Sequence, residues 1–267
     1  MRIVRFVDAA GRPRWGRELD DAHAAPMVGD LFGPHDFEQR AVPFARRLAP
    51  VDPPNIFAIG RNYRAHAEEM KARELPREPL IFLKATSSVI GPDESIVLPG
   101  SAPDEVDFEA ELAVIIGTQA KDVAPADALR YVLGYTCAND ISARDCQKRR
   151  DKQWARGKSF DTFCPLGPVL VTADALSPES LAVRSMLNGR IMQDDRTANM
   201  IFSVPFLVSY LSRQFTLRPG TVILTGTPAG VGAARTPPVF LRDADEITVE
   251  IECIGTLRNR VVSGARQ

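Results

Sequence analysis

The chain has little of what would carry it away from ordinary aqueous surroundings. No apolar run reaches the ~18–20 residues that cross a bilayer. The start at Met1 shows neither the basic n-region nor the apolar h-region of a secretory signal. Cysteine is scarce: Cys137, Cys146, Cys164 and Cys253 are scattered with no CxxC pair. That argues against a zinc site or a disulfide framework and for a reducing compartment, so a cytoplasmic location is expected. A formal net charge of -1 leaves no basic excess to draw the chain onto nucleic acid or an anionic membrane. The glycines of 226–232 are not followed by Lys-Ser/Thr and do not fit GxGxxG, which excludes a nucleotide loop there. Internal repeats and low-complexity tracts are absent as well.

What remains is an ordinary globular composition. With 267 residues, 45% of them hydrophobic and 25% charged, one large core with a small appendage is expected. Residues 1–50 read as a small N-terminal region, closed by Pro50, Pro53 and Pro54, and 51–267 as the main domain. Its strands outnumber its helices and few βαβ alternations occur. The expected class is therefore α+β, mostly β, a roll or sandwich with small peripheral helices. Asn188-Gly189 marks a hairpin. Ser142 is placed to cap a helix from Ala143 to about Ala155. The prolines of Cys164–Val171 favour an edge or corner strand. Phe206, Leu207, Tyr210 and Leu211 fit the buried stripe of a helix beginning near Ser203.

The stretch that organises the chain is Asp107-Phe-Glu-Ala-Glu-Leu-Ala-Val-Ile-Ile-Gly117. It begins in strict alternation and runs into an apolar segment, the pattern of a strand entering a core. Read as one strand, Asp107, Glu109 and Glu111 share a face. Carboxylates crowded there repel one another and resist desolvation, and a bound cation would relieve both. A wet acidic strand end explains the same pattern equally well. A second strand, Tyr135–Asn139, delivers Asp140 to its end. Oxygen-only ligation by Glu109, Glu111 and Asp140 would suit a hard cation, Mg²⁺ first, with Mn²⁺ or Ca²⁺ as substitutes. Its partner would be a small keto acid that chelates through oxygens, with Lys84, Arg144 and Lys158 offsetting charge.

After the strand Asn55–Ile59 comes a helix-friendly segment, 61–70, in which His66 and Glu69 stand three apart on one face. An imidazole beside a carboxylate is a general base in the making, and an exposed helical ion pair is the plainer reading of the same spacing. The charged, proline-punctuated run Lys71–Pro79 suits a mobile lid.

Several motifs occur together and in order: Gly60-Arg-Asn-Tyr-Arg-Ala-His66, Asp107-Phe-Glu-Ala-Glu111, Asn139-Asp-Ile-Ser-Ala-Arg-Asp145, Lys158-Ser-Phe, Asn188-Gly189 and Thr225-Gly-Thr-Pro-Ala-Gly-Val-Gly232. On these the chain resembles the fumarylacetoacetate hydrolase family, in its bacterial acylpyruvase and hydroxyheptadienedioate isomerase branch, from about Asn55 to Val261. The resemblance implies a mixed β-sandwich roll, a homodimer and a divalent metal on Glu109, Glu111 and Asp140. It further implies a catalytic His66–Glu69 pair on a lid and an active-site Lys158. Arg61, Tyr63, Lys84, Arg144, Gln147 and Thr227 are then expected to orient the ligand. Family members cleave β-diketo acids, decarboxylate oxaloacetate or isomerise hydroxydienedioates. The expected activity is Mg²⁺-dependent hydrolysis of an acylpyruvate-like C–C bond by water activated at His66. Oxaloacetate decarboxylation, hydroxydienedioate isomerisation and a catalytically inactive ligand-binding relative stand as alternatives.

Overall fold

The computed structural model describes residues 1–71 and 74–265. Two mixed sheets pack face to face. Across the larger sheet the order is His35–Phe37, His23–Gly29, Pro13–Glu18, Arg2–Val7, Cys164–Thr172, Val132–Asn139, Ala110–Ile116, Val222–Leu224, Ile56–Gly60 and Leu80–Lys84. The smaller sheet runs Ile96–Leu98, Gly255–Ser263, Glu246–Ile251, Ala182–Leu187 and Arg190–Arg196. The fold is the mostly β, mixed-sheet architecture that the sequence pattern predicts. Among the described residues no helix is long and apolar enough to cross a membrane.

The strand Ala110–Ile116 shows why its sequence is an unbroken apolar run. Leu112, Val114 and Ile116 enter the core between the two sheets, together with Val183, Val249 and Ile251 of the smaller one. Ala113 and Ile115 point the other way, into a second cluster with Ile56, Ala58 and Leu170. A strand covered on both faces has no polar side to alternate with. The first strands of the chain belong to the same sheet: Arg2–Val7 runs antiparallel to Cys164–Thr172, and Ile3 and Phe6 are fully buried.

Four expectations about elements are corrected. Asp107 to Gly117 is not one strand. Val106–Asp107 pairs with Ser142–Ala143 in a small ribbon of its own, and pairing in the main sheet begins only at Ala110. Ser142 lies in that ribbon rather than capping a helix, its hydroxyl spent on Asp140 O. The helical residues beyond it are a π-turn, Cys146–Arg150, and a short helix, Ala155–Lys158. Cys164–Thr172 is an interior strand bonded on both sides; Pro168 falls where the register slips between Tyr135 and Cys137, and Pro165 lies opposite Ile90. In the helix Val204–Gln214 the buried face is Val204, Leu207, Val208 and Leu211, with Phe206 and Tyr210 half-buried. The hairpin at Asn188-Gly189 forms with both residues at positive φ (50° and 78°), the requirement of its two-residue turn. Of the run read as a lid, Ala72 and Arg73 lie outside the described residues.

Candidate metal centre and active site

The site forms where adjacent strands end. Ala110 lies opposite Asn139 in the ladder, so the residues just before the one and just after the other, Glu109 and Asp140, come together. The junction is fastened by Asp140 N–H donating to Glu109 O (2.9 Å) and Glu109 N–H to Asn139 Oδ1 (3.0 Å). Glu111, one residue into the strand, completes the group. Carboxylate oxygens of Glu109, Glu111 and Asp140 all lie within 4.8 Å of one another, and all three residues are buried.

Charge balance tests whether a cation belongs there. The buried cluster holds four carboxylates, Asp107, Glu109, Glu111 and Asp140, against three cations, Lys84, Arg144 and Lys158. Lys158 Nζ donates to Glu109 Oε2 and Asp140 Oδ2, both at 2.6 Å. Lys84 Nζ donates to Asp140 Oδ1 at 2.5 Å. Arg144 Nε donates to Asp107 Oδ2 at 2.8 Å, and its Nη2 makes charge contacts at 2.7 Å with Asp107 and Glu109 without hydrogen-bond alignment. Glu111 is left without a cationic partner among the described residues and accepts only the Gly226 N–H (2.6 Å). Burial, with Asp140 and Glu109 beside it, pushes the Glu111 carboxyl well above its ordinary range. Burial acts on Glu109 in the same sense, but Lys158 and Arg144 outweigh it and hold that carboxyl well below its ordinary range. An uncompensated carboxylate in an all-oxygen set fits a hard divalent cation.

A cavity of about 280 Å³ opens over these residues. His66, Arg61, Glu109, Glu111, Arg144, Gln147, Lys158 and Thr227, all singled out from the sequence, line it. His66 sits on a helix of six residues, Arg64–Glu69, with its Nδ1 2.8 Å from Glu69 Oε1. Thr227 donates to Ala110 O (2.9 Å) and accepts from Gln193 Nε2 (2.7 Å), so its hydroxyl is already engaged with the scaffold.

Two residues expected to orient substrate lie elsewhere. Lys84 is fully buried beneath the carboxylates, bonded to Asp140 Oδ1, Ile141 O and Lys158 O, and lines no part of the cavity. Tyr63 is also fully buried, its hydroxyl without a partner, and burial pushes that hydroxyl far up. Asp107 does not join Glu109 and Glu111, because the chain leaves the strand geometry at Phe108 and Glu109. Its carboxylate instead takes Gly232 N–H (2.7 Å), Ala233 N–H (3.0 Å) and Arg144.

The cavity has further walls that the sequence did not disclose: Ile59, Met70, Phe82 and Trp154 on the apolar side, and Lys148. Lys148 had a signal, since it follows Arg144 at helical spacing. The aromatic pair had none, because Phe82 and Trp154, whose rings meet edge to face at 5.5 Å, are far apart in the chain.

Comparison with known proteins points to one family. The family model described as fumarylacetoacetate (FAA) hydrolase C-terminal matches residues 55–262. A mitochondrial oxaloacetate tautomerase, Fahd2a of Rattus norvegicus, is 48% identical over 217 residues, 80% of this chain and 69% of the relative. Among solved structures, 5-carboxymethyl-2-hydroxymuconate delta-isomerase from Mycobacterium smegmatis superposes with a TM-score of 0.87 at 42% identity, covering 99% of this chain and 100% of that one. Fumarylacetoacetate hydrolase from Exiguobacterium antarcticum gives 0.88 at 39% identity, with the same coverage. With the family model matched over residues 55–262 and its architecture shared over nearly its whole length, the chain belongs to the fumarylacetoacetate hydrolase family.

Proposed function

We propose that the protein is a metal-dependent enzyme that interconverts the keto and enol forms of an α-keto dicarboxylic acid, oxaloacetate being the first candidate. One observation carries this reading: an imidazole whose Nδ1 is held by Glu69 lines the same cavity as Glu109 and Glu111 of the acidic triad. With Nδ1 committed to that carboxylate, Nε2 is the nitrogen left to take a proton. Removal of a proton from the carbon next to the keto group leaves an enolate, and return of the proton to oxygen gives the enol. Lys158 and Arg144 stand beside the triad to offset the negative charge that develops on that oxygen. A divalent cation on Glu109, Glu111 and Asp140, Mg²⁺ by preference with Mn²⁺ or Ca²⁺ as substitutes, would supply Lewis-acid polarisation of the keto group.

A dicarboxylate is favoured by the cavity's remaining cations. Arg61 and Lys148 line it and form no salt bridge among the described residues, which leaves both for a second carboxylate. Lys148→Met should raise KM for oxaloacetate about tenfold, the scale of one charge-assisted hydrogen bond, and leave KM for a monocarboxylic keto acid unchanged.

The apolar wall of Phe82, Trp154, Ile59 and Met70 supports a second reading, hydrolysis of an acylpyruvate by water that His66 activates. One panel separates them: decay of enol-oxaloacetate absorbance, pyruvate release from oxaloacetate, and cleavage of acylpyruvates, each with Mg²⁺ and with chelator. Metal-dependent enol decay without pyruvate release is the expected result, and acylpyruvate cleavage alone would install the second reading. Glu109→Gln should abolish metal binding and turnover together. His66→Ala should spare metal binding and slow turnover by about 10²–10⁴-fold, the usual worth of a general base. A homodimer is part of the same proposal. Exposed Leu80 and Leu83 on the edge strand Leu80–Lys84 support it, and light scattering in solution would test it.

A further inference from the structure

The base proposed for this site stands on a helix of only six residues, in which His66 and Ala67 alone are buried. Packing of that size holds a helix weakly. What fixes it lies across the cavity, in the glycine-rich loop after the strand Val222–Leu224. Glu69 uses both carboxylate oxygens: Oε1 meets His66 Nδ1, and Oε2 accepts the Gly230 N–H at 2.9 Å. Gly230 is itself held on its far side, through the carbonyl of the following peptide unit. Arg235 Nε donates to Gly230 O (3.3 Å), and Arg235 Nη2 donates to Met192 O in the neighbouring strand. The same two carbonyl-bearing residues meet at close range, since a Cβ on Gly230 would stand 2.2 Å from Met192 O. Two residues further on, Asp107 takes the N–H groups of Gly232 and Ala233.

We infer that Arg235 is a positioning residue for the His66–Glu69 pair: by holding the Gly230 carbonyl it fixes the glycine whose N–H, on the other side of the same α-carbon, catches Glu69, and so holds the helix Arg64–Glu69 over the cavity. Asp107, on the other flank of the loop, anchors the catch to Arg144 and hence to the acidic triad. Arg235 is half-buried and touches neither the cavity nor the carboxylates, so its effect must pass through the loop. A backbone N–H to a carboxylate is a charge-assisted bond, and a loop already fastened at the adjoining carbonyl forms it at less ordering cost.

Hydrogen exchange on the full chain, without substrate, tests this. Arg235→Met should speed amide exchange in 64–70 about tenfold, the scale of one lost hydrogen bond to a charged group. Glu69→Ala should do the same, and the double variant should exchange no faster than Glu69→Ala alone, because both remove one contact. Arg235→Lys, which keeps the cation but reaches a single carbonyl, should fall between. Unchanged exchange in 64–70 in Arg235→Met, or additive effects in the double variant, would overturn the inference. If Arg235→Met loosens the core strand Ala110–Ile116 as well, the comparison passes to Arg235→Lys, where additivity with Glu69→Ala overturns it and non-additivity supports it. The kinetic consequence, a lower kcat with KM unchanged, rests on the base role proposed for His66. The exchange result does not, so a failed turnover panel with intact coupling would remove the proposed function and leave the catch standing.

Discussion

Glu111 is the residue at which electrostatics and function meet. Its carboxyl is pushed up by burial and by the neighbouring Asp140 and Glu109, which outweigh the charge of Lys158 and the Gly226 N–H that favour the charged form. A carboxyl raised on folding binds its proton more tightly in the folded state than in the unfolded one. Stability contributed by that proton is present at low pH and is lost as pH rises from the unfolded value of 4.5 through the folded one. A divalent cation binds the carboxylate, not the acid, so its binding reverses the trend. The gain in Tm on adding Mg²⁺ should therefore grow with pH, and calorimetry in buffers of different ionisation enthalpy should detect proton release on binding. A gain independent of pH would mean that Glu111 is already ionised in the metal-free protein.

Elements here are fastened at their ends more than along their lengths. The helix Arg64–Glu69 has no side-chain cap. Its foot is held by Asn62, a fully buried side chain that donates to Phe202 O (3.0 Å) and Thr225 O (2.7 Å) and accepts from Phe202 N–H (2.8 Å). Asn62→Ala would leave those backbone groups buried without partners, at a cost of at least about 2 kcal/mol. Denaturant unfolding should show that loss. Asn62→Asp should also fail to rescue it, because a carboxylate cannot donate to the two carbonyls. The strand Ala110–Ile116 is the opposite case, secured along its length by partners on both sides and by apolar cover on both faces.

For the molecule as a whole, the question is whether residues 1–50 are an appendage. Their strands continue the large sheet from Cys164–Thr172 outward, Ile3, Met27, Leu31 and Ala49 share a core with Leu166 and Leu170, and Phe6 belongs to the cluster between the sheets. Deleting 1–50 should therefore expose one edge of Cys164–Thr172 together with that apolar surface. The expected outcome is loss of cooperative unfolding or aggregation rather than a smaller folded protein, which solubility and a melting curve would show. A soluble, active fragment 51–267 would establish the region as separable.

Local patterning determined the mostly β class, the hairpin at Asn188-Gly189 and the residue types of the site, because period and turn chemistry act over neighbouring residues. The ordered motifs also identified Glu109, Glu111 and Asp140, which the structure gathers into one group. Tertiary structure alone decided which charged groups face the cavity and which lie beneath it. Alternation placed Asp107 with the other acids, yet the chain turns at Phe108 and sends it to the glycine loop. Lys84 and Lys148 look alike as residues, but the first lies under Asp140 and the second lines the opening. Such depth depends on how distant strands register against one another, as Ala110 does with Asn139, and spacing along a single segment carries no record of it.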